Sequence, residues 1–251
     1  MEETPHKEHY NVPVSKLPLV EVQPKEDFRS SFHWRMFRIM AEFVDGWQFL
    51  ADFKKTVTFF GSARLKKDDH WYEEARKLGK MLAKDGFSII TGGGPGIMEA
   101  GNQGAFEAQK EAKESGDSTS KIGDSVGLNI KLSFEQRINR YVQKAIAFHY
   151  LFVRKVMLSY YAQAYVYFPG GFGTLNEAFE LIELVQTKKI PPIPIILVGK
   201  DFWGPLTEWI KHGIYEKFDA IDKEDMEIYK IVDSAEEAYE LVKEAPERKE
   251  F

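Results

Sequence analysis

Residues 164–177 read Ala-Tyr-Val-Tyr-Phe-Pro-Gly-Gly-Phe-Gly-Thr-Leu-Asn-Glu. A β-prone run stops at Pro169, glycines occupy 170, 171 and 173, and helix-forming residues follow. That is a strand, a tight turn and a helix, with a turn that lacks the Cβ atoms that would keep a ligand off the backbone. The same grammar recurs at Phe87–Thr91, followed by Gly92-Gly93-Gly94-Pro95-Gly96 and a helix to about Ala108. It recurs more briefly at Thr56–Phe60, followed by Gly61-Ser62-Ala63-Arg64 and a helix near Trp71–Leu82. Further apolar runs at Ser125–Ile130, Lys144–Phe148, Pro194–Val198 and Ile228–Val232 alternate with helical stretches. One of these reaches about Tyr161, one about Gln186, and one contains Leu206–Ile210. The last, Ser234–Val242, is opened by a Ser234/Glu237 capping box. Short apolar strands alternating with helices predict an α/β, Rossmann-like, mainly parallel sheet with helices on both faces. Ligands bind such sheets beyond the carboxyl ends of the strands, and sequence order puts all three turns on that edge.

Residues 1–26 are polar, carry Pro5, Pro13, Pro18 and Pro24, and are expected to form a loosely ordered tail. From Asp27 the pattern changes: Phe28, Phe32, Met36, Met40, Phe43, Trp47 and Leu50 recur at helical spacing. They predict an N-terminal amphipathic helix over 27–53, packed on the sheet as an added layer or at a subunit contact. The whole of 27–251 then reads as one nucleotide-binding domain. A net charge of -5 argues against polymeric nucleic acid as a partner, while a small anion can still be held by backbone N–H groups. The absence of cysteine excludes disulfides, Cys-ligated zinc and thiol catalysis, and suits a reducing cytoplasm. No charged-then-apolar leader opens the chain, and no apolar run approaches the roughly 20 residues of a membrane span. A soluble, cytoplasmic protein is expected. His6 and His9 have a metal-like spacing but fall in the tail, and neither H-E-x-x-H nor G-x-S-x-G occurs, so no metal or cofactor is expected.

Thr91–Gly96 has the makings of a phosphate seat: unpaired N–H groups of a first helical turn, a helix dipole, and Pro95 suited to that turn. It is neither G-x-G-x-x-G nor a Walker A sequence. In the other turn, Thr174 can cap its helix or meet a phosphate oxygen. Glu177 is either the second half of a Thr174/Glu177 capping box or a carboxylate that the ligand uses, and Glu180, one turn on, reads as structural. Arg154 and Lys155 sit among apolar neighbours in a helix expected to be largely buried. A buried guanidinium needs an anionic partner, and Glu177 or a bound phosphate is available. Glu99 and Asn102 could face a ligand or solvent, and the sequence does not separate the two.

Residues 92–100 (Gly-Gly-Gly-Pro-Gly-Ile-Met-Glu-Ala), Val153-Arg154-Lys155 and 169–177 together resemble the LOG (LONELY GUY) family, whose members are often mislabelled lysine decarboxylases. The resemblance spans roughly residues 55–245, and the aromatic N-terminal helix looks like the larger, bacterial-type branch. It implies a phosphoribohydrolase that splits a nucleoside 5′-monophosphate, of the AMP or cytokinin riboside 5′-monophosphate type, into free base and ribose 5-phosphate. It implies catalytic roles for Arg154 and Glu177. Nucleotide contacts are implied for Ser62, Gly92, Gly93, Gly94, Gly96, Met98, Lys155, Gly170, Gly171, Gly173 and Thr174. A homodimer or larger homo-oligomer is also implied. Small members have Met-His-Glu-Arg-Lys where this chain has Leu151-Phe152-Val153-Arg154-Lys155, a departure that bears on base preference. A competing reading is a non-catalytic nucleotide or cofactor carrier of the same fold, which needs the glycine loops but not the carboxylate. A third is an interaction protein that docks through the N-terminal helix. A decarboxylase would need a lysine in a pyridoxal phosphate setting, and the sequence singles out none.

Overall fold

The computed structural model describes residues 32–116, 121–131 and 138–246. The expected N-terminal tail with His6 and His9, the opening of the 27–53 helix, and residues 117–120 lie outside the described residues. The chain divides between Ala41 and Glu42. Helix α1 (Phe32–Leu50) runs across that division and stops short of the expected residue 53. Its residues 32–41 carry Trp34 and Phe37 edge to face, with ring centroids 6.4 Å apart.

From Glu42 onward the chain forms one parallel sheet of seven strands. They are β1 (Thr56–Phe60), β2 (Ser88–Thr91), β3 (Ser125–Ile130), β4 (Lys144–Phe148), β5 (Ala164–Tyr167), β6 (Ile195–Val198) and β7 (Tyr229–Val232). The helices are α2 (His70–Lys84), α3 (Ile97–Glu114), α4 (Leu151–Tyr160), α5 (Phe172–Gln186), α6 (Lys200–Trp209) and α7 (Ala235–Lys243). Every strand lies within one residue of an apolar run read from the sequence. The order is β4-β3-β2-β1-β5-β6-β7, so the chain moves outward from β1 in one direction and then returns to its other side. Val57 pairs with Ile89 on one side and Ala164 on the other. That reversal between β1 and β5 is the switch point at which open α/β sheets bind ligands.

Alternation along the strands sorts the core into two layers. Val57, Phe59, Ile89, Val166 and Ile196 pack with Leu78, Leu82, Ala105 and Val242 of α2, α3 and α7. On the other face, Thr58 donates to the Leu158 carbonyl of α4 and Trp203 of α6 donates to the Tyr167 carbonyl. The C-terminal half of α1 joins this layer, where Gly46 leaves room for Met157 and Phe148. Glu42 accepts from the His149 and Tyr150 N–H groups at 2.7 and 3.0 Å. It thereby caps α4, whose own N-cap residue, Tyr150, supplies no side-chain bond.

Two helix details differ from the sequence reading. Pro205 lies inside α6, and the chain continues as a π-helical segment over Ile210–Lys217; a proline that removes a ladder bond and a wider turn follow one another here. At α7, Ser234 caps by accepting from Glu237 N–H, but the Glu237 carboxylate takes the Asp233 N–H, one residue outside the reciprocal box.

Helices α2 and α3 approach more closely than side chains allow. A Cβ at Gly104 would stand 2.1 Å from the Arg76 carbonyl oxygen and 2.6 Å from Lys80 N. Backbone cannot retreat as a side chain can, so the helices must part. Gly104→Ala is expected to destabilise by about 1–3 kcal/mol, read as a lower urea midpoint at unchanged slope. An unchanged midpoint would show that the helices separate without cost.

Candidate functional site

The loops after β1, β2 and β5 meet at the switch point around one cleft of about 800 Å³, within the range of small-molecule sites. Backbone bonds tie the three turns together. Ser62 N–H donates to the Pro169 carbonyl at 2.9 Å, and Ile97 N–H donates to the Ser62 carbonyl at 3.0 Å. Ser62, Gly92, Met98, Arg154, Gly170, Gly171, Gly173, Thr174 and Glu177 all border the cleft. Gly93, Gly94, Gly96 and Lys155 do not line it and instead build its frame.

The glycine turn after β5 is the open one. Helix α5 begins at Phe172, with Gly171 as an N-cap that offers no side chain. The first N–H groups of α5 therefore face the cleft without a capping side chain, and the dipole of a 15-residue helix stands behind them. Neither Gly171 nor Gly173 has an atom within 4 Å of where a Cβ would stand, so an anion can approach the backbone closely. Thr174 is the third helical residue rather than the cap, 7% exposed, packed against Gly170 and bordering the cleft. The Thr174/Glu177 capping box does not form, because the helix starts earlier than Gly173 suggests. Glu177 lies in the second helical turn, where the cap positions are out of its reach.

Glu177 instead turns its carboxylate towards α4. Its Oε2 accepts from Ser159 Oγ at 3.2 Å. Burial pushes its carboxyl up to about 7 and Glu180 adds to this, while Lys155, the Ser159 hydrogen bond and Arg154 pull the other way. Lys155 forms an ion pair with Glu180, so it acts on Glu177 only through its field. Arg154 donates its Nε to the Leu128 carbonyl at 2.7 Å. Burial lowers the guanidinium below its ordinary range and the Glu177 charge partly restores it, although arginine stays charged throughout. Among the described residues, no carboxylate comes within ion-pair distance of Arg154. A Cβ at residue 92 would lie 2.2 Å from Arg154 Nη2, so the glycine there admits the guanidinium to the cleft wall. A cation with no carboxylate at ion-pair distance among the described residues and a carboxylate raised to about 7 thus share one cleft.

The turn after β2 is more fully occupied than its sequence suggests. Gly93 N–H donates to Thr91 Oγ1, the Gly93 carbonyl accepts from Asn139 N–H, and the Gly94 carbonyl accepts from Asn139 Nδ2. Asn102 is fully buried and ties Thr91, Ser125 and Asn139 together, which settles its role as structural. Glu99 pairs with Lys67 at 3.3 Å. Pro95 stands before the N-cap Gly96, outside α3, and the first α3 N–H group is spent on Ser62. This turn shapes the cleft, whereas the α5 turn offers it donors.

Arg64, Leu65, Phe172 and Phe202 also line the cleft and were not singled out from the sequence. Arg64 and Phe202 had a readable signal, since each lies in or just after a loop that follows a strand at this same edge. Phe172 is 93% exposed, a large apolar side chain left at the mouth of the cleft. Ser159 had no signal of its own. Among the described residues no cluster of metal-ligating side chains occurs, and no helix is long and apolar enough to cross a membrane.

The chain is 27% identical over 193 residues to the cytokinin riboside 5′-monophosphate phosphoribohydrolase LOG of Oryza sativa subsp. japonica, covering 76% of this chain and 72% of that protein. It is 27% identical over 205 residues to the pyrimidine/purine nucleotide 5′-monophosphate nucleosidase of Escherichia coli (strain K12), covering 77% of this chain but 41% of that longer protein. Among solved structures it is similar to the molybdenum cofactor carrier protein of Chlamydomonas reinhardtii. That match has a TM-score of 0.53 and 19% identity, over 76% of this chain and 98% of the other. The molybdenum cofactor binding protein of Rippkaea orientalis matches with a TM-score of 0.52 and 21% identity, over 75% and 93% respectively. These two likenesses concern the fold alone. The model of a family described as "Possible lysine decarboxylase" matches residues 98–242, more than half of the chain, and the protein belongs to that family, the LOG family.

Proposed function

We propose that the protein hydrolyses the N-glycosidic bond of a nucleoside 5′-monophosphate, releasing the base and ribose 5-phosphate. The observation that carries this reading is that Glu177 and Arg154 border the same switch-point cleft: a carboxylate raised to about 7, and a cation with no carboxylate within ion-pair distance among the described residues. The α5 N-terminus and Thr174 receive the phosphate. Arg154 adds its charge to that anion and orients the ribose. Glycosidic cleavage builds positive charge on the ribose ring, which the ionised Glu177 stabilises. The C1′–N bond breaks with its electron pair leaving on the base, and water oxygen bonds to C1′. Glu177 takes one proton from that water and returns it to solvent, and the departing base takes up one proton from solvent, so that the water's OH ends on C1′ and its H equivalent on the base. The two named relatives support the substrate class, as a phosphoribohydrolase and a nucleosidase of 5′-monophosphates.

The finer reading is AMP or a cytokinin riboside 5′-monophosphate as substrate, and a cytoplasmic homodimer or larger homo-oligomer as the working form. Exposed Leu151, Phe152 and Phe179 on α4 and α5 support self-association, and the cysteine-free sequence suits a reducing compartment. A decarboxylase reading fits less well. Among the described residues that line the cleft there is no lysine to hold pyridoxal phosphate, and neighbouring Lys155 is committed to Glu180. Purified protein is accordingly expected to show no coenzyme absorption band.

The decisive experiment is incubation with a panel of purine, pyrimidine and isoprenylated-adenine monophosphates, scoring free base and ribose 5-phosphate. Binding without release of base from any of them would leave a carrier and refute the hydrolase. The pH profile is a second expected result. Activity needs ionised Glu177, so kcat/KM should rise with pH along an acid limb centred at about 7. A limb centred in the ordinary carboxylate range would show that Glu177 is not the group that titrates.

A further inference from the structure

The carboxylate of Glu177 has one hydrogen-bond donor among the described residues, and it comes from a different helix. Ser159 is fully buried near the end of α4, and its Oγ lies 3.2 Å from Glu177 Oε2. A buried serine inside a helix can return its hydroxyl to the carbonyl four residues back. Here the hydroxyl is turned across the helix–helix contact instead.

Both ends of that bond are fastened to β5, and the α4 end to β1 as well. On the α4 side, the Leu158 carbonyl accepts from Thr58 of β1 at 3.2 Å, and the Ser159 carbonyl accepts from the Tyr165 hydroxyl of β5. On the α5 side, the Glu177 carbonyl accepts from the Tyr167 hydroxyl of β5 at 3.2 Å. The backbone positions that carry donor and carboxylate are therefore both anchored to the central sheet. The other groups that face Glu177 are committed elsewhere. Arg154 binds the Leu128 carbonyl, Lys155 and Glu180 pair with each other, and Tyr167 uses its hydroxyl on the backbone.

We propose that Ser159 is a positioning residue for Glu177: its hydroxyl fixes the carboxylate facing the cleft and favours its ionised form. The proposal rests on the hydrolytic reading for its effect on turnover, but not for its effect on Glu177 itself. A donor to the ionised form opposes the burial that raises the carboxyl, and its loss leaves only the charges of Lys155 and Arg154 to oppose it.

The test uses the full chain, with kcat/KM for AMP measured against pH and the Glu177 carboxyl carbon followed by 13C NMR. In Ser159→Ala the acid limb and the NMR midpoint should both move up by about 0.5–1 pH unit. The loss of kcat/KM should then be about 3–10-fold at about pH 6 and shrink to within about twofold at about pH 9. Ser159→Thr, which keeps the hydroxyl, should restore the wild-type limb. Adding Ser159→Ala to Glu177→Gln should change turnover no further. If Ser159→Ala does not fold, Ser159→Cys replaces it, a near-isostere with a weak donor. An unmoved NMR midpoint overturns the proposal, as does a loss equal at every pH and unrelieved by Thr, which is what a merely loosened α4 would give. If wild-type protein hydrolyses no monophosphate the hydrolytic reading falls, and the NMR midpoint still decides the role of Ser159.

Discussion

Glu177→Gln is expected to lower kcat by about 10²–10⁴-fold, the usual share of a positioned acid–base group. The change keeps the shape of the side chain and removes only its charge and its capacity to accept a proton. Stability should respond in the opposite direction. The folded protein holds the Glu177 proton up to about pH 7, whereas the unfolded chain releases it near its ordinary value of 4.5. Between those values the folded state binds more protons, so stability falls as pH rises through that window and stays lower above it. Glutamine does not titrate, and the variant should melt at or above the wild-type temperature at pH 8. Turnover and Tm measured on the same preparations check both halves. Wild-type turnover, or a drop in both together, would make Glu177 a structural residue.

Arg154→Met is expected to be the second large effect, with kcat/KM falling by about 10²–10³-fold. Methionine follows the same path past Gly92 but brings neither charge nor the planar fork that fits a phosphate or sugar oxygen. The fold should tolerate it. Among the described residues the guanidinium makes one hydrogen bond, to Leu128, and is otherwise a desolvated charge, so its loss removes a bond and a penalty together. Tm should change by no more than about 4 °C. Loss of one neighbouring cation should also move the Glu177 acid limb to higher pH. Arg154→Lys should recover part of the activity, because it returns the charge but not the fork. Full activity in Arg154→Met would leave the cleft without its anion receptor.

Much of this was legible in the sequence because the strands are short, mostly apolar runs set between turns and helices. Thr56–Phe60, Ser125–Ile130 and Lys144–Phe148 agree with the structure to the residue. The shared edge of the three turns followed from alternation alone. The order of strands did not, because an apolar run does not name its neighbours; it took the pairing of β1 with both β2 and β5 to place the switch point between them. The start of α5 was misread because Gly173 looks like part of the turn, whereas it is helical and leaves Glu177 a turn deeper. Asn102 and Ser159 were opaque for a different reason. A buried polar side chain is defined by partners from distant parts of the chain, and those distances exist only after folding.

The clasp that Glu42 makes on the two N–H groups opening α4 bears on where this protein can be cut. Residues 98–242, the stretch shared with the family model, omit Glu42, β1, β2 and the Ser62 turn. Such a fragment would keep Arg154 and Glu177 but lose the central strand of the sheet and the acid that anchors the arginine-bearing helix. Even a chain begun at β1 would release that anchor. The segment matched by the family model is therefore shorter than the piece that carries β1 and the Glu42 anchor.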